Sequence, residues 1–241
     1  MVATPQLRAA ALSDLGAVRE ENEDRWLCDP GLGLFGVADG LGGLPRGAEA
    51  AQAAVAEVER AFQELPAGAV PDLDAIVQRA NRIVAALGRA LSPELGMATT
   101  LTFAHQSDWA FHLAHVGDSR CYAWSGGKLS RLTEDHSVEN EARRQARAGH
   151  PIPYPPGMRA ALTRCVGQAG ALEVDFISRS LRPGDRILFC TDGVTRVIPD
   201  HELGAILVRH QDPASVLRRL IALTLERGGP DNATGVLLFV D

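Results

Sequence analysis

Met97-Ala-Thr-Thr-Leu-Thr-Phe103, Trp109-Ala-Phe-His-Leu-Ala-His-Val116 and Arg120-Cys-Tyr-Ala-Trp124 follow one another with only short turn segments between them. Each run is short, carries β-branched or aromatic residues and is bounded by turn formers, as strands are. Ser125-Gly-Gly-Lys128 supplies a tight hairpin turn after the third. The runs are apolar on both faces. A sheet with one wet face alternates apolar and polar residues, whereas a sheet covered on both sides need not. These strands are therefore expected between a second sheet and a layer of helices.

The flanking chain supplies those layers. Upstream, Trp26-Leu-Cys28 and Gly33 to Ala38 read as two strands, the second ending at Asp39. Gly47 to about Leu65 is Ala-rich with Glu and Arg interspersed, which favours a helix. Pro66 to Pro71 breaks it. Asp72 is placed to cap a second helix running to about Leu91, with Ile76, Ala80, Ile83, Val84 and Leu87 as its apolar positions. Downstream, Asp135 to Ala148 reads as a helix and Gly149 to Gly157 as a Pro-rich loop. Strands resume at Leu172–Ser178 and Arg186–Cys190. Helices at about 200–209 and 213–227 precede a last strand at Gly235–Asp241. The fold class is α/β (α+β) with antiparallel strands, in one domain spanning 1–241.

With 241 residues, 46% hydrophobic and 22% charged, the chain can bury one large core. The net charge of −6 argues against nucleic acid as a partner. Met1 to Ser13 lacks the basic start and apolar core of a secretory signal, and no apolar run approaches the roughly 20 residues of a membrane span. A cytoplasmic, monomeric domain is expected. Cys28, Cys121, Cys165 and Cys190 form no CxxC pair and read as small buried thiols in a reducing compartment.

Acidic residues recur in short motifs along the chain: Arg19-Glu-Glu-Asn-Glu23-Asp24, Asp39-Gly40-Leu41-Gly42-Gly43, Gly117-Asp118-Ser119, Thr191-Asp192-Gly193 and Gly229-Pro-Asp231-Asn232. Each alone is an ordinary turn or a solvated charge run. Their repeated pairing with glycine suits metal ligands, because glycine lets the backbone turn sharply and approach an ion closely. Oxygen ligands without His or Cys partners point to Mg or Mn rather than Zn. Asp135-His136-Ser137 does not make a nucleophilic triad, since three consecutive extended residues point to alternating sides. His115 has no acidic neighbour at ligand spacing and reads as a hydrogen-bonded core or rim histidine.

The order and sequences of these motifs closely resemble the metal-dependent protein phosphatases, the type 2C serine/threonine phosphatases, from Arg19 to Val240. The resemblance implies two stacked antiparallel sheets with helices on both outer faces and a metal site at one end. It implies that Asp39 bridges two metals and that Gly40 offers its carbonyl oxygen. Glu23, Asp192 and Asp231 then complete the pair of Mn²⁺ or Mg²⁺ ions, with Asp24 close by. Asp118 matches the ligand of a third, weaker metal in bacterial relatives. Arg19 matches the phosphate-gripping arginine, a role that suits its planar and permanently charged fork.

Two positions depart from the wider family. Leu41 stands where eukaryotic members have a histidine thought to protonate the leaving oxygen, so no side chain is assigned as general acid and a metal-bound water is the candidate. The segment expected to form a flap, about 137–160, is richer in proline than is usual, and no substrate contacts are carried onto it. The implied reaction is attack of a metal-activated water on phosphoserine or phosphothreonine in proteins, opposing a Ser/Thr kinase. A catalytically weak phosphoprotein- or kinase-binding relative, or a hydrolase of small phosphate esters, remain as alternatives. On the leading reading, chelation with EDTA should abolish phosphate release from a phosphothreonine peptide. Mn²⁺ at a hundredfold excess over Kd should add about 2.7 kcal/mol of stability. An unchanged melting temperature and rate would remove the metal site.

Overall fold

Ten strands form two five-stranded antiparallel sheets in the computed structural model, which describes residues 5–44, 46–66 and 68–241. Residues 1–4 of the N-terminal stretch, Pro45, and Ala67 within the expected helix break lie outside the described residues. The strands are β1 (Leu7–Asp14), β2 (Asp24–Asp29), β3 (Leu34–Asp39), β4 (Leu101–Ser107), β5 (Ala110–Val116), β6 (Arg120–Ser125), β7 (Lys128–Arg131), β8 (Asp175–Ser180), β9 (Arg186–Cys190) and β10 (Ala233–Val240). One sheet has the order β1-β10-β9-β6-β7 and the other β2-β3-β4-β5-β8. The helices are α1 (Gly47–Gln63), α2 (Leu73–Leu91), α3 (Val138–Arg147), α4 (Asp192–Thr195), α5 (Asp200–Leu207) and α6 (Pro213–Glu226).

Three apolar layers hold this together. Phe35, Val37 and Phe111 of one sheet meet Ile187, Phe189, Val236 and Leu238 of the other across the middle of the sandwich. Leu34 and Phe103 turn outward onto Ala51, Val58, Val77 and Val84 of α1 and α2. Leu188 and Leu237 turn the opposite way onto Leu203, Leu217 and Leu220 of α5 and α6. Strands covered on both faces have no polar side to show, which is why β10 is buried along its whole length.

Local chemistry sets several boundaries. The Asp72 carboxylate accepts from the Ala75 amide and starts α2 as expected. Helix α3 begins at Val138 because Ser137 caps it through the Asn140 amide. Strand β4 starts only at Leu101. The residues before it serve as single bridges instead, Thr99 pairing with both Gly40 and Val166. Strand β1 was not anticipated. It pairs with β10 from Leu7↔Val240 to Asp14↔Ala233. Cys121 and Cys190 are buried thiols as expected, whereas Cys28 and Cys165 are only partly buried. No helix among the described residues is long and apolar enough to cross a membrane.

The loops that join these strands meet at one end of the sandwich. Gly193, at the start of α4, lies flat against the Asn232 carbonyl just before β10, with no room for a Cβ atom. Gly193→Ala must therefore push the 229–232 loop away from α4. A loss of about 1–3 kcal/mol is expected, the usual cost of overpacking, together with weaker Mn²⁺ binding by titration. A variant as stable as the wild type would show that this contact is not rigid.

Candidate metal and phosphate site

Asp39 ends β3 in a position fixed from both sides. Its amide donates to the Thr100 hydroxyl at 2.9 Å, and its carbonyl accepts from the Thr99 hydroxyl at 2.9 Å and the Thr100 amide at 2.8 Å. Asp24, opposite it in the β2–β3 register, is 1% exposed. One Asp24 oxygen accepts from the Thr191 hydroxyl at 2.9 Å; the other is buried with no hydrogen-bond partner. Gly40 then crosses Gly47 so closely that neither could carry a side chain. That crossing sets Glu23 at the start of α1, where it accepts from the Gly47 amide at 3.1 Å and faces the positive end of the helix.

The opposite wall comes from the other loops. Asp118 follows Gly117, whose amide donates to His136 Nδ1 at 3.1 Å and whose carbonyl accepts from the His136 amide at 2.8 Å. Asp192 opens α4. Asp231 and Asn232 precede β10. Asn232, 5% exposed, ties the walls together. Its side-chain oxygen accepts from the Glu23 amide at 2.9 Å, and its nitrogen donates to the carbonyls of Leu15 and Glu21 at 2.9 and 3.0 Å.

Asp39, Asp118, Asp192 and Asp231 line one cavity of about 210 Å³, with Gly40, Leu41 and Thr100 among its walls and Arg19 and Arg196 at its rim. Glu23 and Asp24 are not among its walls; Asp24 opens β2 and Glu23 immediately precedes it. Arg19 grips both oxygens of Asp231 at 2.9 Å. Arg196, which had no place in the sequence reading, pairs with Asp192 and approaches Asp231 at 3.5 Å. A basic residue four positions after Asp192 was the available signal, and it reads as an ordinary helix pair. Ala160, Ala161 and Leu162, at the end of the expected flap and just after it, also line the cavity.

The electrostatics follow from burial of like charge. Asp39 is pushed well above the ordinary carboxylate range, first by desolvation, then by the charges of Asp24, Asp192, Asp118 and Asp231. Burial raises Asp24 to about 7, opposed by hydroxyl donors such as Thr191. Burial and then Asp192 raise Asp118 to about 7. Asp192 and Glu23 are raised too, again chiefly by desolvation. By contrast, the buried His115 satisfies both ring nitrogens with Thr102 and the Glu134 carbonyl, each at 2.8 Å, and burial lowers it to about 3. Asp135, His136 and Ser137 serve separate partners: Arg120, the Gly117 turn and the α3 cap. They form no triad.

The donor set suits hard divalent cations. It is all oxygen, it is half-buried around a fully buried Asp24, and it holds an orphaned carboxylate oxygen on that residue. Among the described residues, no three His, Cys, Asp or Glu side chains already stand in a metal-holding group. The ion pairs give the reason: Asp231 is turned onto Arg19 and Arg196, and Asp192 onto Arg196. Cations entering here would exchange with guanidiniums.

A sandwich of two antiparallel sheets with buried acids at one end defines a class of metal-dependent phosphatases. The family model for protein phosphatase 2C matches residues 18–232, and the chain belongs to that family. The serine/threonine protein phosphatase PstP of Mycobacterium tuberculosis is 36% identical over 96% of this chain, which spans 44% of that relative's length. The solved catalytic domain of PstP in complex with two manganese ions is 34% identical, with a TM-score of 0.83 over 98% of this chain and 99% of that one. PppA, a regulatory component of the type VI secretion system in Pseudomonas aeruginosa, is 32% identical, with a TM-score of 0.84 over 99% of both chains.

The raised Asp24 gives a pH test with a definite sign. Its folded-state value of about 7 lies above the ordinary 3.8, so the folded, metal-free chain keeps an extra proton between those values. Stability from this group is complete below about pH 4 and is lost as pH rises through about 7. Asp24→Asn removes the titration. In EDTA, the variant should gain on the wild type by up to about 4 kcal/mol between pH 4 and pH 8, measured by urea unfolding. A difference that does not move with pH would contradict the raised value.

Proposed function

We propose that this chain hydrolyses phosphoserine and phosphothreonine esters on proteins with the help of two Mn²⁺ or Mg²⁺ ions. The cavity that gathers Asp39, Asp118, Asp192 and Asp231 beneath Arg19 carries the reading. In support stand the family membership and the manganese pair in the PstP catalytic domain. Asp39, the carbonyl of Gly40, Glu23, Asp192 and Asp231 would hold the pair, with Asp24 behind them. Asp118, on its separate turn, would hold a weaker third ion. When bound, the ions supply the positive charge that activates a water and offsets the negative charge of the phosphoryl group.

The protein's own groups do the rest. Arg19 presents a planar pair of donors at the rim, the geometry that meets two phosphoryl oxygens at once. Here it holds Asp231, so substrate binding requires Asp231 to turn away, and cations drawing on that carboxylate favour the exchange. Gly42 lies under the Arg19 fork, where any side chain would strike its nitrogens, so the arginine can lie flat over the loop. Leu41 lines the cavity with no proton to give, so no side chain is assigned as general acid and a metal-bound water would be the candidate. The thiols take no part: Cys121 and Cys190 are buried and held far from thiolate.

We further read 1–241 as one domain with a flap at about 137–160, acting as a monomer in the cytoplasm against a Ser/Thr protein kinase. The assay that tests the function is manganese-dependent phosphate release from a phosphothreonine peptide against a small phosphomonoester. A preference for the ester would point to a small-molecule hydrolase instead. The metal roles separate by mutation. Asp39→Ala should abolish tight Mn²⁺ binding in titration calorimetry, whereas Asp118→Ala should keep it, and both should turn over at least about tenfold more slowly. The reverse pattern of binding would exchange the two assignments.

A further inference from the structure

Arg196 stands on the ridge between two cavities. One is the acidic cavity described above. The other, about 300 Å³, opens beside it towards Ser137, Glu139 and Arg159. Three guanidiniums line this second cavity: Arg120, Arg159 and Arg196. Two of them are committed. Arg120 holds both oxygens of Asp135 at 2.8 and 2.7 Å, and Arg159 holds Glu139. Neither Asp135 nor Glu139 lines the acidic cavity, so neither pair draws on an acid assigned to cations.

Arg196 is different. Its partners, Asp192 and Asp231, are both acids assigned to cations, and its side chain is 48% exposed. The four acids on the second cavity wall are Asp118, Asp135, Glu139 and Asp192. Once Asp118 and Asp192 are taken up by cations, three guanidiniums face two carboxylates. The wall changes sign, and the guanidinium left without a partner is Arg196. It lies beside the position where a phosphoryl group would be gripped by Arg19.

We propose that Arg196 recognises a second anionic group on the substrate, a carboxylate side chain or a second phosphate flanking the phosphoresidue. The phosphoryl group occupies the acidic cavity, and the flanking anion enters the adjoining one. Arg196 thereby makes the enzyme selective for phosphorylated sites in acidic or multiply phosphorylated sequence. This rests on the phosphoprotein reading above. Arginine suits the task because its fork can exchange one carboxylate for another anion without losing charge.

The test uses three phosphothreonine peptides of equal length, flanked by alanine, by glutamate or by a second phosphothreonine, at saturating Mn²⁺. Their non-hydrolysable phosphonate counterparts are measured by fluorescence anisotropy. The wild type should favour the glutamate-flanked peptide over the alanine-flanked one by about five- to tenfold in kcat/KM, the scale of one charge-assisted hydrogen bond. Arg196→Ala should bring that ratio to about one, and Arg196→Lys should retain part of it. A still larger ratio for the doubly phosphorylated peptide identifies phosphate as the preferred anion; a smaller one identifies carboxylate. The phosphonates should rank in the same order by affinity. A wild-type ratio of one, or a ratio that survives Arg196→Ala, overturns the proposal while leaving the phosphatase reading intact. Arg196-dependent ranking of the phosphonates without hydrolysis of any peptide would do the opposite.

Discussion

Burial of like charge at one end of the sandwich is the constraint to which the surrounding structure answers. Asp24, Asp39, Asp118 and Asp192 are all shifted upward, each chiefly by desolvation. An ionised carboxylate left buried without a partner is worth several kcal/mol of penalty, so the cluster needs protons, guanidiniums or cations. Among the described residues, two guanidiniums line the acidic cavity, Arg19 and Arg196. The three apolar layers matter to function for this reason: they hold rigid the strand ends from which the acids project. A looser scaffold would let the carboxylates swing apart into water and relieve the strain.

Much of this was legible before the structure. The acidic motifs, the order of strands and helices, the Asp72 cap and the boundaries of β9 could be read because each rests on local chemistry. Strand β1 could not. Its Arg8-Ala-Ala-Ala-Leu12 stretch has low β-propensity, and only pairing with β10 makes it a strand. Helix α4 is four residues long, too short for any periodicity. Metal-site roles could be carried over from a resemblance, but the clamps could not. Thr99, Thr100 and Thr191 look like β-formers, and only the folded register shows their hydroxyls fixing Asp39 and Asp24. Arg196 was invisible for the same reason, since an Asp–Arg pair four apart is ordinary on any helix.

The two rim arginines differ in what surrounds them. Arg19 lies over Gly42 and holds Asp231 through both oxygens. Arg196 divides itself between two acids and two cavities. One meets a single carboxylate and the other is shared between two. The distinction comes from backbone: Arg19 reaches in from the loop between β1 and β2, Arg196 from the end of a one-turn helix that already carries Asp192.

Asn232 joins residues that are 209 or more positions apart, and its three hydrogen bonds close the loop that bears Arg19 and Glu23. During synthesis, that loop leaves the ribosome long before its clamp exists. Strand β1 likewise waits for β10. The sheet β2-β3-β4-β5-β8 contains no strand beyond Ser180 and can pair earlier. A half-sandwich that formed on the nascent chain would have one inner face uncovered, and would lack Asp192 and Asp231, until the rest of the chain arrives. Such an intermediate exposes apolar surface for seconds at ordinary elongation rates. Its survival depends on how quickly the far ends of the chain find each other.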